Sequence, residues 1–223
     1  MANAEQKQQG DGGRFVGTTW QDLLDLETVD VPEYLRIQNN PDMGDEDLSV
    51  DRYISQEFFN KEKEEMWPRV WQMACREEEI PEPGDHHVYW IIDRSVIVTR
   101  TPSGEIKGYI NSCRHRGRCL RDESGSVDKF RCPFHGATWD LEGQFLGIPN
   151  QWDFEHIEGR DMSLPQVKVA TWGGFVFINF DQDAPPLEDY MEVLPDHFKR
   201  FPLEEYFTGV HVQRVMNCNC KVG

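Results

Sequence analysis

Positive charge is what this sequence is short of. Its 223 residues hold 23 lysines and arginines against 40 aspartates and glutamates, a formal net charge of −17. A duplex-binding surface needs clustered cations to replace the counterions it displaces, which argues against nucleic acid as a partner. The same shortage argues against an anionic membrane surface. Long apolar runs are missing too: the longest lies within residues 174–180, GFVFINF, far from the ~18 residues of a membrane span. The N-terminal stretch MANAEQKQQGDGG has no apolar core of the kind a secretory leader carries. Cysteine is sparse, 6 residues in all, too few for a disulfide scaffold. A cytoplasmic protein with reduced thiols is the expectation, and the cysteines then need another use.

What is present is unevenly placed. Residues 1–80 hold 19 acidic and 8 basic residues, residues 81–150 hold 9 of each, and residues 151–223 hold 12 and 6. The middle third is therefore neutral between acidic flanks. At 38% hydrophobic and 12% aromatic, the composition is that of a folded chain. Residues 1–19 read as a disordered tail. Residues 20–71 read as a helical arm, with a short helix near 20–26 and a longer one over 55–71, where Ser55 can cap and Phe58, Phe59, Met66, Trp67, Val70 and Trp71 recur at helical spacing. From residue 72 the period changes. Short β-branched and aromatic runs at 87–92, 96–101, 106–110, 129–131, 167–170 and 174–180 alternate with turn signals such as Pro102-Ser103-Gly104-Glu105 and Trp172-Gly173-Gly174. That pattern predicts a mainly β protein with flanking helices, built as a small antiparallel sandwich or barrel over residues 72–181. Residues 182–223 read as a linker helix over 187–201 and a last strand-like piece over 208–215.

Two short stretches carry the chemistry: Cys113-Arg114-His115-Arg116-Gly117 and Cys132-Pro133-Phe134-His135-Gly136. Each is a mixed Cys/His pair, and each lies where a strand gives way to a loop. Four-ligand zinc sites of this composition usually pair Cys with Cys and His with His. Crosswise pairing suits a two-metal object in which each loop gives one ligand to each metal. That object is a Rieske [2Fe–2S] cluster, in which two histidines replace two cysteines on one iron. The remaining candidates are weaker. Cys75 and Cys119 read as packing residues. His86 and His87 are adjacent, so in a strand they face opposite ways. His156, His197 and His211 read as structural or surface residues. Cys218 and Cys220 would share one face of a strand, which leaves a metal or redox role open.

C-x-H…C-x-x-H at this gap is the Rieske signature, and its context narrows the match. CRHRG, CPFHG, the later GGFVFINFD and the helix end MWPRVWQMACREEEIPEPGD resemble the N-terminal part of the α subunit of Rieske non-heme iron ring-hydroxylating oxygenases, over roughly residues 50–222. The resemblance implies a two-loop cluster-binding subdomain, with Cys113 and Cys132 on an inner iron and His115 and His135 on an outer one. Two ferric ions, two sulfides and two thiolates sum formally to zero, so such a centre takes an electron more readily than a four-cysteine one. Arg114, Arg116, Arg118, Arg121, Lys129 and Arg131 flank the loops and would attract an acidic redox partner. The respiratory branch of the family carries an extra disulfide, and here its positions hold Arg118 and Phe134. It also places hydroxyls near the sulfurs, where this sequence has Ala137 and Trp139. Fewer donors to sulfur imply a potential near the low end of the Rieske range, about −150 mV.

The resemblance further implies oxygen- and NAD(P)H-dependent hydroxylation of an aromatic substrate. Electrons would arrive through a ferredoxin or a flavin/iron–sulfur reductase, with other α or β subunits as further partners. That chemistry needs a mononuclear Fe(II) on two histidines and a carboxylate, in the family a D-x-x-H-x-x-x-x-H run after an N-x-N-W-K segment. Asn217-Cys218-Asn219-Cys220-Lys221 resembles that segment, and no H-x4-H occurs anywhere in the sequence. The expectation is a chain that carries the electron-input half, is C-terminally truncated, and holds no catalytic residues for hydroxylation. The alternative is a free-standing Rieske-type ferredoxin, for which the helical arm and residues 182–223 have no evident use.

Overall fold

The computed structural model describes residues 17–36 and 47–222, and the expected tail lies outside them except for residues 17–19. The chain divides into two compact units, Met1–Leu48 and Ser49–Gly223. In the first, helix α1 (Trp20–Leu24) starts at a reciprocal cap, in which Thr19 accepts from the Asp22 N–H and the Asp22 carboxylate accepts from the Thr19 N–H. Helix α2 (Glu33–Arg36) lies beside it. The Trp20 indole donates to the Leu35 carbonyl, and Arg36 pairs with Asp25 at 2.8 Å.

The second unit opens with α3 (Asp51–Ile54) and α4 (Gln56–Lys61). Ser55 caps α4 as expected, its hydroxyl accepting from the Phe58 N–H at 3.3 Å. The helix widens into a π turn over Glu62–Met66 and stops at Trp67, four residues short of the expected end. Pro68 accounts for this, because it has no N–H to continue the ladder. Gln72 closes the end, donating to the freed Trp67 carbonyl at 2.6 Å.

Ten strands follow: β1 (Gln72–Arg76), β2 (Asp85–Ile91), β3 (Arg94–Arg100), β4 (Ile106–Ile110), β5 (Gly125–Ser126), β6 (Phe130–Arg131), β7 (Thr138–Trp139), β8 (Phe145–Gly147), β9 (Gln166–Trp172) and β10 (Phe175–Asn179). Seven of them form one antiparallel sheet in the order β1-β10-β9-β4-β3-β2-β5. The sheet curls until the Tyr89 hydroxyl on β2 reaches the Gln72 side chain on β1 at 3.3 Å. The other three form a small sheet, β6-β7-β8. This is the mainly β, barrel-like fold with a two-loop subdomain that the sequence implies.

Strand β3 joins the two parts. Its SVIVT run is buried throughout, unlike a strand with one wet face. Val96 and Val98 point into the barrel core with Ile80, Val176 and Ile178. Ile97, on the opposite face, packs in a second core with Tyr109, Phe130, Trp139, Cys113 and Cys132. That second core lies beneath the Cys/His loops.

Two further expectations fail. The helix over 187–201 is two short helices, α5 (Leu187–Met191) and α6 (Leu194–Phe198), broken where Glu192 adopts φ +47°. Pro195 forbids one continuous helix, since it cannot donate to the carbonyl four residues back. Residues 208–215 form no strand and are exposed. An extended segment becomes a strand only by pairing its backbone with a neighbour, and none pairs with it among the described residues.

Candidate metal centre

The two Cys/His loops are built alike. In the first, the Cys113 N–H donates to the Arg118 carbonyl and the Gly117 N–H donates back to the Cys113 carbonyl, both at 2.8 Å. In the second, Cys132 donates to Ala137 at 2.8 Å and Gly136 donates to Cys132 at 3.0 Å. Each loop closes on a glycine in the left-handed region, Gly117 at φ +72° and Gly136 at φ +74°, a conformation that costs little only without a Cβ. Histidine is the third residue of one loop and the fourth of the other. The shared backbone thus presents the two imidazoles from non-equivalent positions.

The loops hang on neighbouring structure. The first follows β4, and the Asn111 side chain holds its far end. Its Oδ1 accepts from the Leu120 and Arg121 N–H groups at 3.0 Å, and its Nδ2 donates to the Arg121 carbonyl at 2.6 Å. The second loop joins β6 to β7 in the small sheet. Below it Trp139 is fully buried and donates its indole N–H to the Met162 carbonyl at 2.6 Å.

At the tip, Cys113 and Cys132 are both buried. Burial pushes the Cys113 thiol up, and the neighbouring Cys132 sulfur adds to this, while the N–H groups of His115 and Arg116 pull it down. N–H groups aimed at a sulfur are donors that favour a thiolate. The His115 and His135 rings lie 4.9 Å apart, centroid to centroid. Burial lowers the His115 pKa, and Arg116, His135 and His156 lower it further. Its Nε2 is buried with no hydrogen-bond partner.

Of the four residues picked from the sequence, the two thiols lie together and the two imidazoles lie together, on loops of matching backbone. Such a donor set fits a [2Fe–2S] cluster, which takes two protein ligands at each iron. None of residues 137–139, just after the second loop, supplies a hydroxyl to sulfur. Ala137 has none, Trp139 is committed to Met162, and the Thr138 hydroxyl donates to the Gly136 carbonyl at 2.8 Å.

The other candidates separate cleanly. Cys75 is buried and its thiol is pushed up to about 12. The Cys119 thiol donates to the Arg121 carbonyl. His86 is buried against Phe130 and its Nε2 accepts from Arg121 at 3.1 Å, while His87 on the other face pairs with Glu79 at 3.4 Å. Cys218 and Cys220 are exposed, outside any strand. Arg114, Arg116, Arg118, Lys129 and Arg131 are exposed and Arg121 is half-buried. Two residues were missed by sequence reasoning. His156 lies 5.3 Å from the His115 ring, and Phe154 packs against His115 at 5.2 Å. No spacing rule links residues 154–156 to the loops; only the returning 3-10 segment brings them there.

Residues 70–168 match the Rieske [2Fe-2S] domain family. Among curated proteins, the chain is 32% identical over 141 residues to the chlorobenzene dioxygenase α subunit of Cupriavidus sp., covering 62% of this chain and 31% of that one. It is 30% identical over 188 residues to the biphenyl dioxygenase α subunit of Paraburkholderia xenovorans, covering 76% and 40%. The chain thus spans well under half the length of these relatives. Among solved structures, naphthalene 1,2-dioxygenase from Rhodococcus sp. bound to indole superposes with a TM-score of 0.60 at 35% identity, over 64% of this chain and 33% of that one. A quaternary ammonium Rieske monooxygenase bound to L-carnitine superposes with a TM-score of 0.63 at 27% identity, over 68% and 43%.

Proposed function

Residues 70–168 are a Rieske [2Fe-2S] domain, and from that premise we propose that this chain is the electron-input portion of a ring-hydroxylating oxygenase α subunit. One observation carries the reading: two loops of matching backbone bring Cys113 beside Cys132 and His115 beside His135. When bound, the cluster supplies a one-electron store. The chain's own residues divide the remaining work. Cys113 and Cys132, in the second core, would hold one iron of the cluster, and His115 and His135 would hold the other. Arg114, Arg116, Arg118, Lys129 and Arg131 draw in a partner with an acidic face, a ferredoxin or a flavin/iron–sulfur reductase fed by NAD(P)H.

The substrate class rests on the relatives and not on the cluster domain. Chlorobenzene, biphenyl and naphthalene appear in the names of some relatives, and a quaternary ammonium compound in that of another. Aromatic hydrocarbons are favoured because the α subunits of dioxygenases are the curated proteins it is 30–32% identical to.

The test is reconstitution of the chain with iron and sulfide under anaerobic conditions. Two irons and two sulfides per chain are expected, with a reduced-state EPR signal coupled to two imidazole nitrogens. His115→Cys and His135→Cys should keep iron but lower the potential and change that signal. A redox titration should place the parent near −150 mV, since no hydroxyl beside the second loop is free to donate to sulfur. A strongly positive potential, or a signal unchanged in both variants, would overturn the assignment.

A further inference from the structure

The ring contacts around His115 are with other rings: His135, Phe154 and His156. Phe154 stands edge-on to His115, centroids 5.2 Å apart and planes at 88°, and edge-on to His135 at 5.9 Å and 63°. Edge-to-face contact is a preferred arrangement for such rings. One phenyl ring therefore touches both imidazoles, which are themselves 4.9 Å apart.

The segment that carries Phe154 is shaped to deliver it. It begins at Asn150 in the left-handed region, φ +55°, and runs through two short 3-10 turns over Gln151–Ile157 that meet at a kink at Phe154. Ile157 is buried in the core beneath the loops and anchors the segment, and Phe154 packs against the same core. The other residues of the turn, among them Trp152 at 72% exposure, face outward. Phe154 itself departs from helical geometry, at φ −119° and ψ 39°.

We propose that Phe154 is a positioning residue for the metal centre, a single ring packed against both imidazoles that fixes their orientation and shields that side of the pair from water. The inference rests on the cluster assignment above, and the experiment separates the two. The reconstituted 223-residue chain is compared with Phe154→Ala, Phe154→Leu and Phe154→Tyr by pulsed EPR, for the imidazole nitrogen couplings and for deuteron coupling after exchange into heavy water. Phe154→Ala should spread the nitrogen couplings, deepen the deuteron modulation and speed cluster loss to a chelator on the order of ten-fold. Phe154→Tyr, which keeps the ring, should match the parent. A Phe154→Ala spectrum equal to the parent's, or a Phe154→Tyr spectrum as disturbed as the alanine one, overturns the proposal. If Phe154→Ala holds no cluster, Phe154→Leu decides by the same criterion. If the parent itself takes up no cluster, the assignment fails instead. The wedge is then judged in the metal-free chain, where loss of the ring should move the His115 and His135 ring C–H resonances; unmoved signals overturn it.

Discussion

Gly117 and Gly136 occupy matching places in their loops but have different surroundings. A Cβ on Gly117 would meet only the Ser112 hydroxyl, at 3.8 Å, so alanine there adds only the left-handed backbone cost of about 1–2 kcal/mol. A Cβ on Gly136 would meet Pro149 at 3.0 Å and Arg131 at 3.2 Å, so the same change should cost more. Chemical denaturation of the metal-free variants checks the order, and equal losses would show that Pro149 yields freely. A second residue sets a pH dependence. Burial holds the His86 pKa below the usual histidine value; the Gly84 carbonyl raises it and the Arg121 charge lowers it. With Nε2 accepting from Arg121, protonation would turn this acceptor into a donor facing a donor. The unfolded chain takes up that proton near pH 6.5 while the folded chain resists it. Stability present above about pH 6.5 is therefore lost as pH falls through the lower folded value. His86→Gln should flatten the fall between pH 7 and 5 in a denaturation series, and an unchanged slope would assign it to other groups.

Among the elements, the first loop depends on one asparagine. Asn111 follows β4 directly and satisfies two loop N–H groups and one carbonyl. Asn111→Ala strands those groups at a buried site, with an expected loss of about 2–4 kcal/mol. Asn111→Asp keeps the acceptor for both N–H groups and should recover part of it. Hydrogen exchange at Leu120 and Arg121 should speed up most in the alanine variant; protection equal to the parent's would mean the loop holds itself. The elements also show what patterning can and cannot convey. Runs of β-branched and aromatic residues between turn signals placed β2, β3, β4, β9 and β10 well, because such side chains fit a sheet surface whether one face or both are buried. Two-residue strands such as β6 and β7 have no period to read. The break at Glu192 was hidden by an apolar pattern that two short helices share with one long one, and Pro195 was the sign of it.

At the scale of the whole molecule, the charge is segregated. Along the sequence a neutral middle third lies between acidic flanks, and around its two loops Arg114, Arg116, Arg118, Lys129 and Arg131 reach solvent. Electron uptake from an acidic donor should therefore slow as salt rises. Arg114→Glu with Arg116→Glu should reduce the low-salt rate on the order of ten-fold or more. A charge change on the exposed Glu57 of α4 should leave it unaltered. Stopped-flow reduction at several ionic strengths makes the comparison, and rates insensitive to both salt and the arginines would remove the steering role.

The sequence by itself determined the metal chemistry and the class of fold. Cysteine and histidine are scarce, so two mixed pairs beside loop glycines stand out, and runs of β-branched and aromatic residues between turns mark strands. Tertiary structure decided the rest. The ring of Phe154 against two imidazoles and the staple made by Asn111 are contacts between residues far apart in sequence or without any repeat. Residues 208–215 make the same point from the other side. A strand-like pattern is a property of one segment, but a strand requires a partner's backbone, and only the folded chain says whether one is there.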